Sequence, residues 1–206
     1  MKLIRRCEKI ILALILGLIA PLVGLFVFWW GSLSLLPEER LPLASAAGIC
    51  LGLIVDAFLL KRWVRAAHRL DDRLWAAIYL FYSVCVFGFS MGVPVLNALL
   101  ALPAGFVRGG RLVETGVGAD LVRRDARRTA GFTTLILGLA CAASAALALL
   151  DPYTAANLKG MFSLNFAVTP GMILALIAAG GLALLAFGWG LTVASVRFSH
   201  TFLQRQ

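Results

Sequence analysis

The chain has 206 residues, of which 61% are hydrophobic and 14% are charged, and its formal net charge is +9. About a quarter of the residues of an ordinary soluble domain are charged, so the composition excludes a soluble enzyme and a free nucleic-acid-binding protein. Several apolar runs reach the roughly 20 residues that a helix needs to cross a bilayer. The sequence therefore predicts an all-α polytopic membrane protein with a single integral membrane domain over residues 1–206.

The first two apolar runs are predicted transmembrane helices. Residues 10–30 follow four Lys and Arg residues, and this run is longer than the apolar part of a signal peptide, which is about 7 to 15 residues. Pro21 is expected to kink the helix. Residues 42–60 open with Pro42, a residue favoured at the first position of a helix, and end before Lys61.

The third apolar run, residues 74–106, exceeds one crossing and is interrupted by Gly92 and Pro94. We predict a short helical hairpin that is broken near these two residues, with arms over residues 74–91 and 94–106. Each arm has a length of about 23 to 26 Å at 1.5 Å per residue. Because that length falls short of a comfortable crossing, the hairpin is either re-entrant or a pair of short spans.

The distribution of positive charge favours this threading. With the hairpin, seventeen Lys and Arg residues lie on one side of the membrane and two on the other, whereas a single crossing splits them ten against nine. Cytoplasmic connections of membrane proteins normally hold the excess of Lys and Arg. We therefore predict that both termini are cytoplasmic and that the chain lies in a bacterial inner membrane.

Two further long helices complete a predicted layout of four long transmembrane helices and one central hairpin. They cover residues 130–150 and 170–196, and Thr169 is the expected N-cap of the second. An Arg-rich cytoplasmic connection over residues 107–129 precedes them. A nearly neutral outer connection over residues 151–169 joins them.

Three polar side chains are the predicted ion-binding or substrate-binding residues: Asp56, Ser90 and Asn97. Asp56 is the one acidic residue embedded in an apolar run, and ionisable groups in a membrane are costly enough to indicate a function. Ser90 and Asn97 flank the break at Gly92, where unpaired backbone groups need a protein or water surrounding. Transporters bind ions and substrates at such interrupted helices.

Each of these three residues also has a structural alternative. Asp56 is close enough in sequence to Lys61 and Arg62 to form an ion pair near the inner interface. Asn97 can hold two helices together, and Ser90 can bond to a carbonyl of its own helix. Both interpretations are open at this point.

Small residues recur every four positions on three of the predicted helices, a pattern typical of faces where helices approach closely. On the second helix the pattern ends at Asp56, which places the carboxylate on the same face. The predicted helix-packing residues are Ala44, Gly48, Gly52, Gly138 and Ala142, and the pattern continues at Ala146, Ala175, Ala179 and Ala183.

The Arg-rich connection contains four closely spaced arginines: Arg123, Arg124, Arg127 and Arg128. We predict that they contact anionic lipid head groups on the cytoplasmic face of the membrane. The alternative is that they only set the orientation of the chain.

Two functions of different classes fit this pattern. The first is a small transport or channel-like protein that holds a cation, a proton or a small polar solute at the hairpin break. The second is a non-catalytic membrane subunit or scaffold that docks a partner protein or copies of itself through its small-residue stripes. No enzymatic activity is expected, because the predicted spans contain no catalytic constellation, and no cofactor, metal or nucleic-acid partner is predicted.

Overall fold

A computed structural model of the chain describes residues 2–161, 163 and 165–204. The structure is 86% helical, and its described residues contain no β-strand. The chain divides into two compact units, Met1–Asp71 and Asp72–Gln206. In chain order the α-helices are α1 (Lys2–Gly17), α2 (Ile19–Ser32), α3 (Leu41–Ala66), α4 (Asp72–Phe89), α5 (Val95–Leu99), α6 (Ala101–Glu114), α7 (Ala119–Leu150), α8 (Thr154–Met161) and α9 (Pro170–Gln204).

Five helical segments of the described chain are long and apolar enough to cross a membrane. In the most apolar stretch of each segment, at most 22% of the residues are buried inside the protein. So much exposed apolar surface is unfavourable in water but is expected of helices surrounded by lipid. The segments are Lys9–Ser32, Glu38–Ala66, Asp72–Phe89, Ala119–Leu150 and Pro170–Gln204. The side of the membrane on which the termini lie, and the depth of the predicted hairpin, stay predictions.

The first apolar segment is interrupted, because α1 ends at Gly17 and α2 begins at Ile19. Pro21 explains the interruption. Proline has no backbone N–H to donate to the carbonyl four residues earlier, which is that of Gly17, and its ring crowds the same carbonyl. Backbone hydrogen bonds are present on either side of the interruption: the N–H of Leu18 donates to the carbonyl of Leu14, and the N–H of Leu22 donates to the carbonyl of Leu18.

Close backbone contact joins α2 and α3 within the first unit. A β-carbon on Gly48 would overlap the carbonyl oxygen of Gly24, and one on Gly52 would overlap the backbone of Ala20 and Pro21. The helices approach closely because glycine has no side chain at these two positions. The small-residue stripe of α3 is therefore covered by α2 of the same chain.

The chain reverses direction after α4 in the second unit. The turn contains two residues in the left-handed region, Met91 with φ of 52° and Gly92 with φ of 80°. Beyond the turn, Asn97 of α5 bonds back to α4, and the last turns of α6 form ion pairs with the first residue of α4. These contacts show that the chain beyond the turn runs back toward the start of α4.

A small apolar core lies at the charged end of the second unit, where α6, α7 and α9 meet. It contains Leu112, Val122, Ala126 and Val196. The helix α7 runs without a break from Ala119 to Leu150, so most of the Arg-rich segment is helical and continuous with the apolar segment that follows it. Arginine and alanine are both good helix formers, which explains why the helix does not begin at the hydrophobic boundary.

Candidate functional site

Asp56 is a buried carboxylate within the first unit. Its side chain is only 7% exposed, and its Oδ1 has no hydrogen-bond partner among the described residues. A β-carbon on Gly17 would lie 3.7 Å from Asp56 Oδ2 and 3.3 Å from the side chain of Leu60. The carboxylate therefore lies at the contact between α1 and α3, beside Gly17.

The carboxylate lies beside the interruption between α1 and α2. Gly17 is the last residue of α1, and Pro21 supplies no N–H to its carbonyl. The buried carboxylate of Asp56 therefore lies near the residue whose carbonyl loses its usual helical partner. Carboxylates and freed carbonyls at discontinuous helices are the groups that hold Na⁺ or a proton in membrane transporters.

The structure separates Asp56 from its suggested ion-pair partners. Within the described part of the chain, Asp56 has no salt bridge, and Lys61 and Arg62 both have exposed side chains. An isolated ionised carboxylate is disfavoured in an apolar environment, and a proton or a bound cation would stabilise it.

Ser90 lies in the turn of the hairpin and makes local contacts. Its hydroxyl lies 2.7 Å from the carbonyl oxygen of Val86 and 2.7 Å from that of Val93, and its single proton can be donated to one of them at a time. The two carbonyls lie on either side of the left-handed turn. Ser90 therefore closes the turn.

Asn97 connects the two arms of the hairpin. Its Nδ2 donates to the carbonyl of Ser83 at 2.8 Å, and its side chain is 2% exposed. The other amide atom, Oδ1, has no partner in the described chain. The bond ties α5 to α4, as expected of a buried amide between membrane helices. Asp56 belongs to the first unit, and Ser90 and Asn97 belong to the second.

A polar helix interface that the sequence analysis did not identify joins α6 to α9. The hydroxyl of Ser195 donates to the carbonyl of Leu102 at 2.7 Å, and that of Ser199 donates to the carbonyl of Phe106 at 2.9 Å. Gly105 lies opposite Ser195. The four-residue spacing of Ser195 and Ser199 on one helix and of the glycines on the other was the available signal, but spacing alone does not pair two helices.

A second polar contact joins α7 to α9. The hydroxyls of Thr133 and Thr192 lie 2.8 Å apart, and both side chains are buried. Gly138, a predicted helix-packing residue, faces α9, since a β-carbon at this position would lie 3.7 Å from the side chain of Leu185. Ala142 is exposed, so its predicted packing partner is not found within the described residues of this chain.

Charged residues cluster where the hairpin arms begin and end. Arg108 and Arg111 donate to Asp72 at 2.9 Å and 2.7 Å, and Arg108 also pairs with Asp125. The hydrogen bond that Arg108 donates to Asp125 raises the pKa of Arg108 above its already high ordinary value, so this guanidinium stays charged. The cluster holds α4, α6 and α7 together at one end.

The four arginines that were predicted to contact anionic lipid all lie on the first turns of α7. Their side chains are exposed, and none has an ion-pair partner among the residues that the structure describes. Free guanidinium groups outside an apolar segment are available for phosphate groups. They are Arg123, Arg124, Arg127 and Arg128.

Comparison with known proteins adds no assignment, since no protein-family model, curated protein or solved structure matches this chain.

Proposed function

We propose that the protein is a small integral membrane transport protein, with Asp56 as the group that binds a proton or a small monovalent cation. The observation that carries the proposal is the buried carboxylate of Asp56, which has an unpartnered oxygen and lies beside the interrupted helix α1–α2. For a carboxylate in this setting, taking up a proton or binding a cation costs less free energy than remaining ionised without a partner.

The hydrogen bonds favour Asp56 over the other two predicted binding residues. Ser90 bonds within its own turn, and Asn97 uses its amide nitrogen to join the hairpin arms. We assign these two residues to the stability of the hairpin. We place the protein in a bacterial inner membrane with cytoplasmic termini, a placement that the strong asymmetry of Lys and Arg supports.

The Asp56→Asn variant is expected to lose proton and cation flux while keeping its assembly. Asparagine preserves the shape of the side chain but holds neither a net charge nor a titratable proton. The measurement uses the full chain reconstituted in liposomes that contain a pH-sensitive dye, with proton entry driven by a potassium diffusion potential. Parallel liposomes report Na⁺ and K⁺ entry with cation-sensitive dyes.

Asp151→Asn is the matched control, because Asp151 is an exposed acidic residue that follows the end of α7. This control is expected to leave the flux unchanged. Flux of the Asp56→Asn variant equal to that of the native protein for all three ions would remove the proposed site. Native flux no greater than that of protein-free liposomes for all three ions would contradict the transport function.

A second candidate function is a membrane subunit that assembles with a second copy of itself through α9. Ala175, Ala179 and Ala183 are all exposed on this helix, and only 6% of its most apolar stretch is buried. A neutral face of small residues lets an identical helix approach closely around a two-fold axis. The corresponding stripe on α3 does not serve this purpose, since α2 covers it.

Native mass spectrometry in mild detergent tests this assembly. The native chain is expected to form a dimer, and Ala179→Leu is expected to shift it to a monomer, because the larger side chain separates the two helices. Ala178→Leu adds the same volume at about 100° around the helix and is expected to preserve the dimer. A native monomer, or equal loss of dimer in both variants, would argue against the α9 interface.

A further inference from the structure

A groove lies between the first turns of α7 and the last turns of α9, within the second unit. Its volume is about 380 Å³. Small-molecule sites have volumes of roughly 300 to 1,000 Å³, so the groove has the size of a small polar ligand or a head group. The residues that line it are Ala119, Val122, Arg123, Arg197, His200, Thr201 and Gln204.

Two arginines from different helices give the groove a positive charge. Arg123 of α7 and Arg197 of α9 are both exposed, and neither has an ion-pair partner in the described part of the chain. Asp125, the acidic residue two positions after Arg123, is already engaged by Arg108. The guanidinium groups of Arg123 and Arg197 are therefore free to bind an anion, and the fork of a guanidinium matches two oxygens of a phosphate group.

His200 adds a buried polar group to the wall of the groove. Its side chain is 7% exposed, and its Nε2 has no hydrogen-bond partner among the described residues. Buried polar atoms are normally paired, so the Nε2 of His200 has an unused hydrogen-bonding capacity beside the groove. A phosphate oxygen accepts a hydrogen bond from an imidazole N–H.

The amino-terminal end of α7 contributes a further feature that attracts anions. Gly118 precedes the helix in an extended conformation and has no side chain that could cap the free N–H groups of the first turn. Nothing lies within 4 Å of the position that a β-carbon on Gly118 would take. The N–H groups at the start of this long helix are therefore accessible, and such groups attract anions.

We propose that this α7–α9 groove is a binding site for a phosphate group, held by Arg123, Arg197 and His200 together with the amino-terminal end of α7. The phosphate belongs either to an anionic lipid head group or to a free phosphate. The site is distinct from Asp56. It depends on two particular arginines on different helices, whereas general attraction to an anionic membrane would involve every exposed arginine of α7 equally.

The test compares two double variants of the full chain in detergent by isothermal titration calorimetry. Arg123→Gln/Arg197→Gln removes both arginines of the groove, and Arg124→Gln/Arg127→Gln removes the same charge from exposed positions that do not line it. The probes are inorganic phosphate and dihexanoyl phosphatidic acid, with dihexanoyl phosphatidylcholine as the zwitterionic control. The first double variant is expected to lose about tenfold in affinity for each arginine removed, since a charge-assisted hydrogen bond accounts for such a factor.

The native chain is expected to bind at least one anionic probe, and the groove variant is expected to lose this binding. The control variant is expected to keep its affinity within about threefold of the native value, because it retains both guanidinium contacts. Binding of phosphatidic acid without inorganic phosphate identifies a lipid head group, and binding of inorganic phosphate identifies a free phosphate. Equal losses in the two double variants would overturn the site in favour of general electrostatic attraction. Absence of binding of both anionic probes to the native chain would overturn it as well.

Discussion

The Gly48→Leu variant is expected to disrupt the contact between α2 and α3 and to destabilise the first unit. Even a β-carbon at this position overlaps the backbone of Gly24, so a leucine side chain requires the two helices to separate. Overpacking that backbone atoms cannot relieve costs about 3 kcal/mol or more. The measurement is the loss of helicity by circular dichroism as the detergent-solubilised protein is titrated with sodium dodecyl sulfate.

Gly31→Leu is the matched control for this variant. Gly31 lies on α2, and nothing lies within 4 Å of the position that its β-carbon would take. The control is expected to be as stable as the native chain or more stable by up to about 1 kcal/mol, because leucine has a higher helix propensity than glycine. Equal stability of Gly48→Leu and Gly31→Leu would mean that α2 and α3 do not pack through these glycines.

The stripe on α3 shows what the spacing of small residues can and cannot predict. The recurrence of Ala44, Gly48 and Gly52 every four residues predicts a face that another helix approaches closely. It does not predict which helix approaches. In the structure that helix is α2, because a short connection brings α2 and α3 together as neighbours in the chain and Gly24 supplies the matching gap.

Hydropathy predicted the apolar segments but not the full lengths of the helices. The predicted helix over residues 130–150 is the apolar part of α7, which begins at Ala119. A helix that leaves the membrane and continues with arginine and alanine keeps its backbone bonds, so its boundary is not marked by a change in hydrophobicity. The interruption by Gly92 and Pro94 was more informative, since Gly92 lies in the turn after α4 and adopts a left-handed conformation there, which glycine does at no steric cost.

Asp56 could be selected from the sequence because a lone acidic residue in an apolar run is rare and costly. Its surroundings could not be predicted. The interruption beside it comes from Pro21 and Gly17, residues on another helix, and only the packing of α1 on α3 brings them to the carboxylate. The same limit applies to the α7–α9 groove, where Arg197 and His200 join Arg123 from the far end of the chain.

In the second unit, Gly109→Ala is expected to weaken the packing of α6 on α9. A β-carbon on Gly109 would lie 2.6 Å from the carbonyl oxygen of Val196 and 2.7 Å from the Cβ of Ser199. The helices would have to separate, and the hydrogen bond from Ser199 to the carbonyl of Phe106 would lengthen. The expected loss is about 2 kcal/mol in the free energy of unfolding, measured by the same detergent titration.

Gly190→Ala is the comparison variant, with an expected change in the free energy of unfolding of opposite sign. Gly190 lies within α9, and nothing lies within 4 Å of the position that its β-carbon would take. Alanine has a higher helix propensity than glycine, so this variant is expected to be more stable than the native chain by up to about 1 kcal/mol. A Gly109→Ala variant as stable as Gly190→Ala would contradict a close approach of α6 and α9, because propensity alone would then decide both substitutions.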